Sequence, residues 1–146
     1  MNYQDLTGRI LEACFEVSNE LGVGFLESVY EKALLIALKQ KDLQVKSQVP
    51  LEVKFRGAIV GEFYADILVE NKILLELKAV SGLTKEHFAQ LINYLKATNN
   101  QVGLVINFGN PKLEYRRFDN KYLQHESNIR NSYILDKMLS EEPNEF

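Results

Sequence analysis

The chain has 146 residues, which suits one domain of ordinary size with a buried core. Its composition, 46% hydrophobic and 25% charged residues, is typical of a soluble globular protein, and no apolar run approaches the ~20 residues needed to span a bilayer. The net charge is −3, whereas proteins that bind nucleic acid nonspecifically usually carry a basic surplus. Any binding to a polyanion must therefore depend on a local patch or on bound metal ions.

The first residues and the cysteine content indicate a cytoplasmic protein. The stretch MNYQDLTGRI has no basic region followed by an apolar one, so it does not resemble a secretory signal. Cys14 is the only cysteine, which rules out an intrachain disulfide, and it falls on the apolar face of a helical pattern. We expect it to be a small core residue.

Two helices are predicted at the start of the chain. The first ends at Gly22, and the second starts after Gly24 and runs to about Gln40. Leu35 and Ile36 widen the apolar side of the second helix, which predicts burial on more than one of its faces. The apolar residues of the first helix are spaced by three or four: Leu6, Ile10, Cys14, Val17 and Leu21.

The pattern then changes to that of a three-stranded meander. Val, Ile, Leu, Phe and Tyr dominate, and the run is broken by Arg56-Gly57 and by Asn71. The predicted strands are roughly Val49–Phe55, Ile59–Val69 and Ile73–Val80.

One further helix and two strands are predicted after the meander. Thr84 is a suitable N-cap for a helix that runs to about Ala97, with Leu83 and Phe88 placed as a hydrophobic staple. The nearly continuous apolar run from Gln101 to Gly109 predicts a central strand covered on both faces, and Lys112 to Phe118 alternates like an edge strand.

The resulting order, α–α–β–β–β–α–β–β, predicts a single α/β domain with one mixed β-sheet flanked by helices. We assign residues 1–120 to this domain. Residues 121–146 form a polar C-terminal extension with a weak helical pattern around Ile129 to Leu139.

Three charged residues lie within the apolar second and third strands of the meander: Asp66, Glu76 and Lys78. Glu76 and Lys78 share a face because side chains alternate along a strand. Whether Asp66 faces Glu76 depends on the turn. A two-residue turn puts them on opposite faces, whereas a three-residue loop, Glu70-Asn71-Lys72, sets them directly opposite each other, with Asn71 in a left-handed conformation.

Directly opposed residues have Cβ atoms about 4.5–5.5 Å apart, and two carboxylates at that distance repel unless one is protonated or a cation joins them. Such a pair suits a hard divalent cation with oxygen ligands, Mg²⁺ or Mn²⁺. Lys78 is then placed to face a substrate phosphate or to position the attacking water. The alternative, from the strand pattern alone, is a solvated face with a Glu76–Lys78 surface ion pair.

Two features resemble known nucleases. Asp66 followed by Glu76-Leu77-Lys78 on a hairpin resembles the motif of the PD-(D/E)XK nuclease superfamily, although Ala65 replaces the usual proline, and the predicted helix–three-strand–helix–strand order is that superfamily's restriction-endonuclease-like core. From about Leu21 to Phe118 the chain is also similar to the small bacterial GxxExxY proteins, which are grouped with those nucleases. The motif is present here as Gly24, Glu27 and Tyr30.

The resemblance implies roles for further residues. Glu27 lies on the flank of its helix's apolar face and is a candidate metal-associated carboxylate, or alternatively a solvated first-turn glutamate. Tyr30, one turn on, either lies near the substrate or packs in the core. His87, Gln90 and Tyr94 form one polar stripe on the third predicted helix, and Gln90-x-x-x-Tyr94 resembles an element beside the active site of recombination-type superfamily members. For both Gln90 and His87 the alternative is a purely structural role.

The function implied is metal-dependent hydrolysis of phosphodiester bonds in DNA or RNA. Asp66, Glu76 and Lys78 would be catalytic together with Glu27 and Gln90, and Tyr30, His87 and Tyr94 would lie near the substrate. The Mg²⁺ or Mn²⁺ ligands would be Asp66, Glu76, the carbonyl of Leu77, and Glu27. Four basic residues are candidates for phosphate contacts: Lys54, Arg56, Lys85 and Lys96.

The alternative is a catalytically silent binding or assembly module with the same fold. A small-molecule or cofactor enzyme has no support, because there is no Gly-rich phosphate loop and no Ser/His/Asp arrangement. The expected partner is nucleic acid of undetermined type, with no membrane association and with a homodimer as one option.

Overall fold

The computed structural model describes residues 2–98 and 100–120. The predicted order of helices and strands is confirmed, and the weak helical pattern predicted within residues 121–146 lies outside the described residues. The elements are α1 (Tyr3–Leu21), α2 (Glu27–Gln40), β1 (Val45–Phe55), β2 (Ala58–Val69), β3 (Ile73–Lys78), α3 (Lys85–Thr98), β4 (Val102–Asn107) and β5 (Glu114–Asp119).

The five strands form one mixed sheet in the order β1-β2-β3-β4-β5. β3 is the middle strand and pairs in parallel with β4, with α3 as the crossover between them, while the other neighbours are antiparallel. Every residue of β4 is buried, as predicted for a central strand, and β5 is an edge strand.

Helices cover both faces of the sheet, and each face has its own hydrophobic core. Alternate residues of β3 point to opposite faces, so that Leu75 and Leu77 pack with α1 and α2, whereas Leu74 packs with α3. Cys14 is fully buried in the α1–α2 core, as expected. None of the helices in the described ranges has the length and apolar character needed to cross a membrane.

The expectation that α2 is buried on more than one face is wrong. Its buried residues are Tyr30, Leu34, Ala37 and Leu38, whereas Ile36 is 59% exposed and Leu35 is only partly buried. The physical reason is that α1 and the sheet both pack on the same side of this helix. The first strand also begins earlier than predicted, at Val45, because residues Val45–Ser47 continue the pairing with β2.

The turn between β2 and β3 has three residues. The pairs Ile67↔Leu75, Leu68↔Leu74 and Val69↔Ile73 leave Glu70, Asn71 and Lys72 as the loop. Asn71 has φ 54°, the left-handed conformation expected for it, and Glu70 shares that value. This register is the one that sets Asp66 opposite Glu76.

Candidate active site

Asp66 and Glu76 lie where the paired ladder between β2 and β3 stops. Beyond Ile67↔Leu75, each carboxylate accepts a hydrogen bond from the backbone of the opposite strand. Oε1 of Glu76 accepts from the N–H of Asp66 at 3.2 Å, and Oδ2 of Asp66 accepts from the N–H of Leu77 at 2.7 Å. The two side chains therefore replace the strand-to-strand backbone bonds, which fixes both carboxylates in place.

Burial makes this pair of acids electrostatically unfavourable. Glu76 is only 3% exposed, and its burial, followed by the charge of Asp66, raises its pKa to about 8. Burial likewise raises the pKa of Asp66, although the hydrogen bond from the Leu77 N–H opposes that change. The nearby Glu27 carboxylate adds to the rise of the pKa of both acids. At neutral pH the site thus has an excess of acidic groups over the positive charge of Lys78.

Lys78 is connected to α3 by a short chain of hydrogen bonds. Its Nζ donates to Oε1 of Gln90 at 2.9 Å, and Nε2 of Gln90 donates to the hydroxyl of Tyr94 at 3.2 Å. Burial, together with the negative charge of Glu76, raises the pKa of Tyr94. Gln90 and Tyr94 therefore lie on the side of α3 that faces the carboxylates, and Gln90 holds the Lys78 ammonium there.

The first turns of α2 bring two glutamates toward Asp66. Glu27 is the first residue of this helix, and its charge raises the pKa of both Asp66 and Glu31. Glu31 accepts hydrogen bonds from the side chain of Gln48, and burial is the main cause of its own raised pKa.

Sequence reasoning missed both Glu31 and Gln48. The signal for Glu31 was its i, i+4 spacing from Glu27, which puts the two on one helix face. Gln48 gave no signal, because the first strand was predicted to begin one residue after it.

Two of the residues expected near the substrate, Tyr30 and His87, make structural contacts. Tyr30 is fully buried, its ring stacks on Phe108 with centroids 4.8 Å apart, and its hydroxyl donates to the carbonyl of Gly22 at 2.6 Å and accepts from the N–H of Phe25 at 3.3 Å. His87 uses Nδ1 to accept the backbone N–H of Thr84 at 3.0 Å, directly before α3. Both side chains thus have structural contacts of their own, and a position near the substrate stays a prediction for them.

The chain leaving β3 after Lys78 is held by the fully buried Asn107. Its Oδ1 accepts from the N–H groups of Val80 and Gly109, each at 2.9 Å, and its Nδ2 donates to the carbonyl of Val80 at 2.9 Å. Gly109 permits the close approach, since a Cβ there would lie 2.1 Å from the Val80 carbonyl oxygen. Asn107 thereby anchors the end of the strand that carries Glu76 and Lys78.

Comparison with known proteins gives a family and a fold. None of the curated proteins matches the chain. The crystal structure of SSO0001 is similar with a TM-score of 0.55 and 17% identity, over 77% of this chain and 56% of that one. The alkaline exonuclease LHK-Exo from Laribacter hongkongensis has a TM-score of 0.46 and 12% identity, over 73% of this chain and 58% of its own.

This chain thus corresponds to less than two thirds of either protein, and its likeness to SSO0001 shows the fold alone, a five-stranded mixed sheet flanked by helices. The sequence match is broader. The model of the PD-(D/E)XK nuclease superfamily matches residues 4–118, well over half of the chain. On this match, the chain belongs to the PD-(D/E)XK nuclease superfamily.

Proposed function

We propose that this protein hydrolyses phosphodiester bonds in DNA or RNA and requires a divalent cation, Mg²⁺ or Mn²⁺. The observation that carries the proposal is the opposed pair Asp66 and Glu76, with Lys78 on the same strand as Glu76 and held beside it by Gln90. Membership of a nuclease superfamily agrees with it.

The side chains of the site fit a hard cation. Asp66 and Glu76 supply carboxylate oxygens, and the raised pKa of each acid reflects burial first and then the negative charge of a neighbouring carboxylate, both of which a bound cation would offset. Over the described part of the chain, no three carboxylate, imidazole or thiol groups form a complete set of ligands. Two carboxylates are nevertheless enough for Mg²⁺, which usually keeps several waters. Asp66 and Glu76 would hold the ion, with the Leu77 carbonyl and Glu27 as further ligands.

A bound divalent cation would supply Lewis-acid chemistry, stabilising negative charge on the phosphate and lowering the pKa of the attacking water. The protein's own part is positional and electrostatic. Lys78 presents its ammonium to the same region as the carboxylates, where it orients the water or stabilises the charge that develops on the phosphate. Gln90, which is hydrogen-bonded to Tyr94, accepts a hydrogen bond from that ammonium and so restricts the Lys78 side chain to this position.

A groove next to the site offers a path for the nucleic acid strand. It has a volume of about 880 Å³, lies between the β1–β2 hairpin and the end of α3, and is lined by Lys54, Lys96 and Phe63 among others. The Phe63 ring lies 5.7 Å, centroid to centroid, from that of Tyr94, so the groove adjoins the Lys78–Gln90–Tyr94 chain. Lys54 and Lys96 are accordingly our candidates for phosphate contacts.

We also assign the chain to the GxxExxY proteins within the superfamily, because each motif residue has a physical role. Gly24 has φ 111°, which favours glycine. Glu27 starts α2 and adds its charge to the carboxylate site. The Tyr30 hydroxyl bridges Gly22 and Phe25, which closes the turn that carries Glu27.

The test is a nuclease assay on single- and double-stranded DNA and RNA with Mg²⁺ or Mn²⁺. Lys78→Ala should reduce cleavage by about 100-fold or more, since it removes a charge that acts at the reacting phosphate. Asp66→Ala and EDTA should abolish cleavage. Lys46→Ala is the matched control, because Lys46 is an exposed lysine on β1, and this variant should keep wild-type activity.

Cleavage that survives Lys78→Ala, Asp66→Ala and EDTA would identify a contaminant. Absence of cleavage, together with no Mn²⁺ binding below millimolar concentration by calorimetry, would refute the proposal and favour the binding-module alternative. Calorimetry on Glu76→Ala completes the test, because a site built on Glu76 must lose Mn²⁺ affinity in that variant.

A further inference from the structure

Gln48 has an unusual backbone for its place in the fold. Among the described residues, five that are not glycine have positive φ, and four of these lie in turns: Asp42, Arg56, Glu70 and Asn71. Gln48, with φ 50°, lies inside β1. A left-handed glutamine in a strand is strained, and such strain persists only where the surroundings impose it.

The pairing of β1 with β2 does not explain this conformation. Ser47↔Ile67 and Val49↔Ala65 keep one register on both sides of Gln48, so no residue has been inserted into the strand. By the same register, Gln48 stands opposite Asp66. The distortion is therefore located at the residue that faces the candidate metal ligand.

The side chain of Gln48 lies between two carboxylates. Its Nε2 donates to Oε1 and Oε2 of Glu31 at 3.0 and 3.2 Å and lies 3.5 Å from Oδ1 of Asp66. Only the amide nitrogen fits there, because the amide oxygen would repel both acids. Asp66 is thus held from two sides, with Oδ2 on the Leu77 N–H and Oδ1 on the Gln48 amide.

We infer that Gln48 is a positioning residue, anchored by Glu31, that orients the Asp66 carboxylate for the divalent cation. The inference rests on the proposed function and adds to it two residues outside the superfamily motif identified above. Side chains that orient a metal ligand commonly affect metal affinity without touching the metal. The strained φ of Gln48 is explained if it directs the amide at Glu31 and Asp66 together.

The test compares Mn²⁺ affinity, measured by calorimetry, with the stability of the metal-free protein. Gln48→Gly removes the amide and also relieves the strain, so it should weaken Mn²⁺ binding by about 10- to 100-fold while the melting temperature stays the same or rises. Asn71→Gly is the matched control, since it relieves a positive φ in the β2–β3 turn. It should leave Mn²⁺ affinity at the wild-type value.

Gln48→Asn provides a second variant. Asparagine tolerates positive φ and keeps an amide, but the side chain is one methylene shorter and cannot bridge both acids. It should therefore also bind Mn²⁺ more weakly than the wild type. If the wild type binds Mn²⁺ and both variants bind equally well, the inference is overturned while the proposed function stands. If the wild type neither binds Mn²⁺ nor cleaves nucleic acid, the proposed function fails, and with it the role of Gln48.

Discussion

Replacing Glu76 by glutamine tests whether the buried acid is tolerated for function at the expense of stability. Glutamine has nearly the same shape and keeps the Oε1 atom that accepts the N–H of Asp66. It also removes the carboxyl group whose ionisation the buried site beside Asp66 opposes. We therefore expect Glu76→Gln to stabilise the metal-free protein at neutral pH, which is the reverse of what substitution in a core usually does.

The magnitude follows from the pKa of Glu76, which is 4.5 in its ordinary environment and about 8 in the folded, metal-free protein. Because the folded-state pKa is the higher one, the carboxyl is neutral in both states below pH 4.5, and stability is lost as the pH rises from there to about 8. At pH 7 the loss spans about 2.5 pH units at about 1.36 kcal/mol each, or roughly 3 kcal/mol. Glu76→Gln should recover stability of that order at pH 7 and almost none at pH 4.

The assay is urea unfolding of both proteins in EDTA across pH 4 to 8. Glu20→Gln is the matched control, since Glu20 is an exposed glutamate on α1, and its effect on the free energy of unfolding should be small at every pH. With Mn²⁺ added, the order of stability should reverse. Mn²⁺ binds only the folded state and so stabilises the wild type, whereas it binds the variant more weakly because the variant lacks the Glu76 carboxylate.

One result would refute this reasoning. If Glu76→Gln is no more stable than the wild type at pH 7 in EDTA, or if its advantage does not grow between pH 4 and pH 7, then the suppressed ionisation of Glu76 does not destabilise the fold. A destabilised variant with an unchanged pH dependence would indicate that Glu76 serves packing alone.

Three further predictions concern residues outside the carboxylate pair. Tyr30→Phe keeps the ring stack on Phe108 but loses the hydroxyl that bonds Gly22 and Phe25, so the free energy of unfolding should fall by about 1 kcal/mol. Cleavage should be nearly unchanged, and a large loss of cleavage would give Tyr30 a direct role. Asn107→Leu leaves the partly buried N–H and carbonyl of Val80 without their partner and should lower stability by about 1 kcal/mol for each, measured by urea unfolding. An unchanged midpoint would contradict the anchoring role. Burial raises the pKa of the Cys14 thiol, so thiol reagents should label it only in denaturant, and rapid labelling of the native protein would contradict its place in the core.

The order of elements could be predicted because it depends on local rules, whereas the β2–β3 turn was left open between two loop lengths. Side chains alternate along strands, but β3 is apolar on both faces, so burial alone does not choose between a two-residue and a three-residue loop. The sequence therefore offered the opposition of Asp66 and Glu76 as one of two outcomes, and the structure has the three-residue loop that sets them opposite each other. The burial of α2 was not predictable in the same way, because periodicity shows which side is apolar and not whether a neighbour covers Ile36.

The rest of the site depends on contacts between distant parts of the chain. Gln48 reaches Glu31 and Asp66 only because β1 begins at Val45 and its backbone turns left-handed at one position, and no residue pattern marks that turn. Tyr30 and His87 look the same in sequence whether they face a substrate or bond to nearby backbone. Their hydrogen bonds to Gly22 and Thr84 become visible only in three dimensions.

The carboxylates of Asp66 and Glu76 are the hydrogen-bond acceptors for the backbone N–H groups of Leu77 and Asp66, where the β2–β3 ladder would otherwise continue. These two amide protons are therefore local reporters of what the carboxylates bind. Any ligand that draws the acids toward itself must loosen or tighten the same two bonds. The response should appear in amide hydrogen exchange and in the chemical shifts of these two residues, while the neighbouring amides of the continuous β3–β4 ladder stay constant. The two amide signals would then show whether the site is occupied, with no added label and without any turnover of substrate.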